Sequence, residues 1–243
     1  MTSRGQLEQE HFDRIASRYA QASKSWASLS GQLVERIAPL VRGKTVLDVG
    51  NGGFFAYDPA SASTVTVLDI SPAMLERIDQ PGVRKVVGDA RELAGIEPAS
   101  IDVLLFVFSL HHMCGRNPKD SHAVLDQVLG AAAERLVPGG RLLIAEPVLP
   151  PWLFALERLL FPLTRRLLGL GGVSMIFFYS RTVLEDALRR HVRPEVGGLT
   201  VDELPVTEAV DPLGGSFPGW LRVPAWLRPT DYTLFQAVRP RTD

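Results

Sequence analysis

Short apolar runs alternate with helical segments between residues 44 and 148, and this alternation constrains the fold more than any other feature. The runs KTVLDV, TVTVLDI, VRKVVGDA, SIDVLLFVFSL and GRLLIAEPV are typical of buried strands, because aliphatic and β-branched residues dominate them and turn formers flank them. Between them, SPAMLERI and PKDSHAVLDQVLGAAAERL predict helices, the first with Ser71 as N-cap and Pro72 at the first helical position. This order predicts an α/β fold with a mostly parallel sheet and right-handed crossovers.

The flanking segments add helices before this region and two strands after it. Residues 6–41 carry apolar side chains at helical spacing. LTVDELPV and TDYTLFQAV predict two closing strands. A length of 243 residues, of which 46% are hydrophobic, fits one domain with a well-buried core.

Composition narrows the class of function and the compartment. A formal net charge of −1 argues against a nucleic-acid partner. Cys114 is the only cysteine and is expected to be inert packing, and a lone thiol suits a reducing cytosol. The polar N-terminus lacks the apolar core of a signal peptide, and no window reaches ~18 uncharged apolar residues. We therefore expect a cytoplasmic protein, either a monomer or a homodimer.

Acidic residues lie at the ends of the first three predicted strands, where a parallel α/β sheet binds its ligands. Asp48 leads into a glycine-rich turn, Asp69 lies nineteen residues after Gly50, and Asp89 follows the third strand. Glycines let the backbone approach a ligand, and a carboxylate at the end of the second strand can accept both ribose hydroxyls. The set predicts a nucleoside site. The alternative is that these acids only cap helices or turns.

A dinucleotide-binding dehydrogenase would share the glycine turn and the ribose acid. Its pattern is Gly-x-Gly-x-x-Gly, which opens a helix that holds a pyrophosphate. Here Phe54 and Phe55 stand where the third glycine would be, and Asp58-Pro59 signals a turn. The sequence therefore favours a nucleoside ligand that has no pyrophosphate.

Five motifs, in order and spacing, resemble the class I S-adenosylmethionine-dependent methyltransferases: VLDVGNGG, VLDISPAML, VVGDA, FSLHHM and LVPGGRLLIAEP. The resemblance covers roughly residues 10–150, and HFDRIASRYA is similar to the entry of small-molecule members, including the quinone C-methyltransferase-like group. It implies a Rossmann-like sheet of seven mostly parallel strands, the last one antiparallel, with helices on both faces. It also implies one domain over residues 1–243, with an N-terminal helical lid (1–41), a cofactor-binding core (42–150) and acceptor-side helices with closing strands (151–243).

The same resemblance implies roles for individual residues. The glycines of the turn would pass beside the methionine part of S-adenosylmethionine, Asp69 would hold the ribose, and Asp89 would read the adenine. Met74 would pack near the adenine, and Tyr19 would help to close the lid. No set of His, Cys and carboxylate residues has metal-ligand spacing, so no metal is expected. The expected cofactor-binding residues are Tyr19, Asp48, Gly50, Asn51, Gly52, Asp69, Ile70, Met74, Asp89, Ala90 and Phe106.

His111 and His112 follow the fourth strand and are the candidate catalytic residues. A histidine at this position could act as general base for a phenol or an activated carbon acid. The alternative is a structural Leu-His-His turn, which is frequent in the family whatever the chemistry. His122 is a weaker candidate, and Glu146 at the end of the fifth strand could face the acceptor. Because methyl transfer can be accelerated by positioning alone, activity does not require a base.

The segment after Gly53 departs from the family pattern, which continues into a helix of small apolar residues. One interpretation is a shortened crossover whose aromatic side chains fill the core. The other is that Phe54, Phe55 and Tyr57 wall the ligand pocket, where an aromatic face could attract the sulfonium cation of the donor.

Late in the chain, PPWLFALERLLFPLTRRLLGLGG predicts an amphipathic helix interrupted by Pro162. Its leucine face could pack against the core, or it could contact a membrane while the protein collects a lipid-like acceptor. That face comprises Leu153, Leu156, Leu160, Leu163 and Leu167, away from Glu157, Arg158, Arg165 and Arg166.

These features together predict a methyltransferase that acts on oxygen or carbon of a hydrophobic small molecule, in secondary-metabolite, lipid or quinone biosynthesis. The apolar, aromatic-rich last third suits such an acceptor. Two alternatives stay open. One is a cofactor-binding enzyme with non-methylating chemistry, such as cyclisation or decarboxylation, and the other is a degenerate methyltransferase that serves as a binding partner.

Overall fold

The computed structural model describes residues 9–10, 12–13, 27–170, 176–205 and 230–241. Short helical pieces cover residues 9–10 and 12–13. The strands are β1 Thr45–Val49, β2 Thr64–Asp69, β3 Val83–Val87, β4 Ile101–Val107, β5 Leu136–Val148, β6 Leu199–Leu204 and β7 Asp231–Val238. The longer helices are α1 Ala27–Val41, α2 Pro72–Glu76, α3 Pro118–Arg135, α4 Pro151–Leu170 and α5 Arg181–His191.

The strands form one seven-stranded sheet in the order β3-β2-β1-β4-β5-β7-β6. The first five strands pair in parallel, whereas β7 runs antiparallel between β5 and β6. The predicted mostly parallel sheet with an antiparallel last strand is therefore confirmed. The strand order reverses at β1, whose neighbours are β2 and β4, so the carboxyl ends of these strands border the natural ligand crevice.

A hydrophobic core lies on each face of the sheet, which confirms the prediction of helices on both faces. On one face, α1 contributes Leu33 and Ile37. On the other face, α3 contributes Leu125 and Val128, and α5 contributes Leu184. All five side chains are almost fully buried, so both helix layers hold the sheet by removing apolar surface from water.

Two predicted boundaries differ from the structure. Strand β5 begins at Leu136, four residues before the predicted start, because the turn at Gly139 (φ +79°) forms an irregularity within the strand. Helix α4 runs from Pro151 to Leu170 through Pro162, so the predicted interruption is wrong. Packing of buried Phe161 against the core offsets the hydrogen bond that the proline cannot donate.

Among the described residues, no helix combines the length and apolar character that crossing a bilayer requires. Tyr19, the predicted lid residue, lies outside the described residues.

Candidate functional site

A cleft opens where β1, β2, β3 and β4 end, and it is partly open to solvent. Among the residues that line it are predicted cofactor-binding residues from three strand ends: Gly50, Gly52, Asp69, Ile70, Met74, Asp89 and Ala90. Lining residues outside that set include Phe12, Arg91, Phe108, Ser109 and Met113.

The turn after β1 requires glycine at position 50. Gly50 has φ +70°, and a Cβ there would lie 2.7 Å from the Cβ of Ser109. The Gly50 N–H donates to the Leu68 carbonyl at 2.8 Å, and the Ser109 hydroxyl donates to the Val49 carbonyl at 2.9 Å. The turn is thus tied to both neighbouring strands, with its backbone left open on the cleft side.

Asn51 supports this turn and does not line the cleft. Its Nδ2 donates to Asp48 Oδ2 at 2.8 Å and to the Phe54 carbonyl at 2.6 Å. Its Oδ1 accepts from the Gly53 N–H at 2.9 Å. The side chain is buried, and both of its polar atoms form hydrogen bonds within the turn, so it holds the backbone of the turn in place.

Asp48 is a buried carboxyl group, and it too is absent from the cleft lining. The Tyr57 hydroxyl donates to its Oδ2 at 3.1 Å, whereas its Oδ1 has no hydrogen-bond partner among the described residues. Burial raises the pKa of Asp48 to about 7, although the hydrogen bonds from Asn51 and Tyr57 act in the opposite direction. Burial, followed by the charge of Asp48, raises the pKa of Tyr57, so its hydroxyl remains a donor.

The aromatic residues after Gly53 pack into the core on the α1 face of the sheet. Tyr57 is buried, and Phe54 and Phe55 pack against the same cluster. The rings of Phe55 and Tyr57 meet edge to face at 5.6 Å. None of the three lines the cleft, and Pro59–Ser61 forms only one 3₁₀ turn. The structure therefore supports the shortened crossover and not an aromatic wall around the ligand.

Asp69 lies at the end of β2 and faces the cleft. Its Oδ1 accepts from the Ser71 N–H at 2.9 Å. Burial raises the pKa of Asp69 to about 6, while backbone N–H groups, that of Ser71 first, lower it. The Ser71 hydroxyl also caps α2 and lies 2.5 Å from Asp13 Oδ1, which brings the neighbouring Phe12 over the cleft.

Asp89 lies at the end of β3, and its carboxylate forms an ion pair with the Arg91 side chain. Arg91 Nε lies 2.9 Å from both carboxylate oxygens, its Nη2 contacts Oδ2, and its backbone N–H donates to Oδ1 at 2.9 Å. Burial by itself would raise the pKa of Asp89, but the hydrogen bonds and charge of Arg91 outweigh it, and the pKa lies below its usual value. A base edge that reaches Asp89 would use a lone pair that Arg91 leaves free.

Phe106 does not reach the cleft, and Phe108 does. Phe106 is fully buried in the core on the α3 face, whereas Phe108 joins the cluster on the α1 face. Strand β4 ends at Val107, and Phe108 has φ +53°, so the alternation of side-chain direction stops there. A left-handed conformation is typical of Gly, Asn or Asp, and for this reason the sequence carries no signal for it.

The two candidate histidines occupy different positions. His112 lines the cleft and meets the Phe12 ring edge to face at 5.0 Å. His111 is absent from the lining, and its ring centroid lies 4.1 Å from that of His112. On its other side, His111 stacks on Phe178 at 5.3 Å.

Glu146 holds His111 and the turn that carries it. Glu146 Oε1 accepts the Leu110 N–H at 2.7 Å, and Oε2 lies 2.6 Å from His111 Nδ1. The Glu146 side chain is only 2% exposed. When Glu146 is ionised, the pair fixes the Nδ1–H tautomer of His111 and leaves Nε2 to accept a proton.

His122, the weaker candidate, lies away from the cleft lining. Its ring is 6.0 to 6.2 Å from those of Phe154, Phe177 and Tyr179. Burial, followed by the charge of Arg158, lowers its pKa, so the imidazole stays neutral within this aromatic cluster.

The segment that forms most of this cleft matches a known protein family. Residues 47–144 match the family described as "Methyltransferase domain". No curated protein matches the chain in sequence. The matched segment begins within β1 and contains β2, β3 and β4, and with them every strand end that borders the cleft. The match supports S-adenosylmethionine as the cofactor.

Solved structures share the whole fold at low sequence identity. A chain from the complex between the Haloferax volcanii Trm112 methyltransferase activator and a methyltransferase has a TM-score of 0.67 at 20% identity, covering 97% of this chain and 98% of that chain. Haemonchus contortus phosphoethanolamine N-methyltransferase 2, solved with phosphomonomethylethanolamine and S-adenosylhomocysteine, has 0.59 at 14%, covering 99% and 61%. Geranyl diphosphate C-methyltransferase from Streptomyces coelicolor, solved with Mg²⁺, geranyl diphosphate and S-adenosylhomocysteine, has 0.54 at 14%, covering 90% and 78%. At these identities the likeness establishes the methyltransferase fold.

Proposed function

We propose that this protein transfers a methyl group from S-adenosylmethionine to oxygen or carbon of a hydrophobic small molecule. The observation that carries the proposal is one cleft that combines the glycine turn with acids at the next two strand ends, inside a segment that matches a methyltransferase domain. Two of the structural relatives were solved with S-adenosylhomocysteine, the demethylated form of this donor. When bound, S-adenosylmethionine supplies an electrophilic methyl group.

The residues of the cleft fit this donor. Gly50 leaves open a space that a Cβ could not occupy without meeting Ser109. Asp69 is a buried acceptor at the strand end where a ribose is held in folds of this kind. In this proposal Asp69 accepts from the ribose hydroxyls, and Asp89 with the Ala90 backbone binds the adenine. Asp48, with a pKa of about 7, is partly ionised at neutral pH and then places negative charge close to the turn.

In this proposal His111, which Glu146 positions, accepts the proton that the acceptor loses. A carboxylate that holds Nδ1–H leaves the lone pair on Nε2, which can accept the proton of a phenol or an activated carbon acid. In this proposal His112, which lines the cleft, borders the donor, and the adjacent His111, which stacks on Phe178, meets the acceptor. Aromatic side chains around this turn favour an apolar acceptor, such as a polyketide, terpenoid or quinone.

Calorimetry and labelled donor together test this function. We expect the protein to bind both S-adenosylmethionine and S-adenosylhomocysteine. Asp69→Asn should weaken both affinities by roughly tenfold or more, because it removes hydrogen bonds to a charged acceptor. Asp79→Asn, an exposed carboxyl beyond α2, is the matched control and should leave the affinities unchanged.

The transfer itself is measured by mass spectrometry of hydrophobic phenols, quinols and isoprenoids incubated with methyl-labelled donor. Label in an acceptor product supports the proposal. Failure of the unmodified protein to bind either form of the donor would refute it. Donor binding with a consumed acceptor but no transferred label would assign the cleft to non-methylating chemistry instead.

A further inference from the structure

Helix α4 exposes an apolar stripe on the side opposite its contacts with the core. Phe154 and Phe161 of this helix are buried in the core, and half-buried Leu153 packs against it. The leucine face was expected to pack inward or to contact a membrane, and the structure shows that most of it faces solvent. Leu159 is 74% exposed and Trp152 is 67% exposed. The whole stripe comprises Trp152, Leu156, Leu159, Leu160 and Leu163.

The spacing makes these side chains one continuous surface. Trp152, Leu156, Leu159 and Leu163 follow each other at intervals of four, three and four residues, which lines them up along one side of a helix. Elsewhere in the described part of the chain, the exposed large apolar residues are Val34, Val87 and Val196, which lie on separate elements. Exposed apolar surface is therefore concentrated on α4, as it is at interaction sites.

Helix α4 carries cationic side chains and no exposed anionic one. Arg166 lies beside the stripe, whereas Arg158 and Arg165 are exposed but lie nearer the core side of the helix. Its only acid, Glu157, is partly buried and accepts the Phe178 N–H at 3.0 Å. Burial raises the pKa of Glu157 to about 7, so this carboxyl is only partly ionised near neutrality.

We propose that α4 docks this protein on the surface of an anionic phospholipid bilayer. The stripe supplies apolar side chains that enter the boundary between headgroups and acyl chains, and a tryptophan at its end suits that boundary. Arg166, beside the stripe, faces anionic headgroups. Phe154 and Phe161 keep the inner side of the helix on the core, so α4 lies in the interface plane and does not cross the membrane.

The size of the stripe favours a bilayer over a second copy of the chain. Five side chains along one helix offer less than the roughly 800 Å² per partner that a stable interface buries. An amphipathic helix face is sufficient for docking on a lipid surface, and Arg166 beside the stripe adds attraction to anionic lipid.

The docking helix is also connected to the candidate site. Glu157 of α4 accepts the Phe178 N–H, Phe178 stacks on His111, and His111 packs against His112 at the cleft. A bilayer that holds α4 would therefore lie near the acceptor side of the site, where an apolar acceptor dissolved in lipid could enter. The docking itself does not depend on methyl transfer.

Vesicle flotation tests the docking with the full-length protein. The probes are vesicles of phosphatidylcholine alone and of equal parts phosphatidylcholine and phosphatidylglycerol. We expect binding to the anionic vesicles only. The double variant Leu159→Glu and Leu163→Glu should lose roughly tenfold or more of that binding, and Arg166→Gln roughly fivefold. The double variant Val34→Glu and Val196→Glu, which adds the same two charges at exposed apolar sites outside α4, is the matched control and should bind like the unmodified protein.

Circular dichroism and light scattering complete the test. All of these substitutions are at exposed positions, so helical content should not change. No binding of the unmodified protein to anionic vesicles would overturn the proposal, as would binding that survives the double substitution. A dimer in solution that the double substitution dissolves, without vesicle binding, would assign the stripe to a second copy and also overturn it.

Discussion

Replacing Asp48 with asparagine should make the donor-free protein more stable at alkaline pH while impairing donor binding. Asp48 is a buried carboxyl group whose pKa is raised to about 7 from an ordinary value of 3.8. A folded-state pKa above the unfolded value means that stability is fully present below the unfolded pKa and is lost as pH rises through the folded one. The difference corresponds to about 4 kcal/mol of unfolding free energy lost above neutrality.

Asp48→Asn removes this loss but introduces a second effect of opposite sign. The amide oxygen can accept from Asn51 and Tyr57 as Oδ2 does now. The amide nitrogen then stands where Oδ1 has no hydrogen-bond partner among the described residues, and an unpaired buried donor costs about 1–3 kcal/mol. The net expectation is a gain of about 1–3 kcal/mol at about pH 8 and a loss at about pH 4, where the folded carboxyl is already neutral.

Urea denaturation followed by circular dichroism at both pH values measures these differences, and calorimetry at neutral pH measures donor binding. Asp79→Asn, at an exposed carboxyl, is the control and should change stability little at either pH. The change of the stability difference with pH is diagnostic, because the cost of the unpaired amide is the same throughout. An equal stability difference at both pH values would refute the reasoning, since it would mean that burial does not hold Asp48 neutral.

Two further predictions concern the turns on either side of the cleft. Gly50→Ala should abolish donor binding, and in denaturation experiments it should destabilise the protein by more than Gly43→Ala does. Both glycines have positive φ, but only at Gly50 would the new Cβ meet Ser109, at 2.7 Å. Equal destabilisation by the two substitutions would contradict this. His111→Ala should lower kcat by about 10²-fold or more for an acceptor with an acidic proton. Glu146→Gln should shift the acid-side limb of the kcat profile, the limb that a general base controls, because it removes the carboxylate that holds His111 Nδ1. An unchanged pH profile in Glu146→Gln would reduce Glu146 to a purely structural role.

Much of the site could be predicted because it depends on local pattern and on topology. The apolar runs identify the strands, and parallel strands end at the same edge of a sheet. Gly50, Asp69 and Asp89, which lie far apart in sequence, therefore meet in one cleft. The contact between His111 and Glu146 also follows from the topology, because β4 and β5 are paired neighbours. His111 closely follows β4, and Glu146 lies near the end of β5.

The remaining features depend on backbone or packing details that a pattern does not contain. Phe108 replaces Phe106 at the cleft because one non-glycine residue adopts positive φ. The orientation of α4 could not be predicted from its helical wheel, because the helix has large apolar residues on two sides. Tertiary packing selected Phe154 and Phe161 for the core and left the leucines outside. A helical wheel identifies faces, but it does not tell which of two apolar faces is buried.

The loop after Gly53 and the raised pKa of Asp48 have a common physical explanation. A helix that began directly after the glycine turn would direct backbone N–H groups and the positive end of its dipole toward a nearby carboxylate, and both effects favour the ionised form. Here the chain forms only a 3₁₀ turn at Pro59–Ser61, and side chains take over. Asn51 and Tyr57 each donate one hydrogen bond to Asp48, and the packed aromatic rings around Tyr57 exclude water. Two neutral donors offset burial less than a helix terminus would, so the carboxyl remains protonated until near neutrality. The departure of this chain from the family pattern is therefore also the reason that Asp48→Asn should stabilise it at alkaline pH.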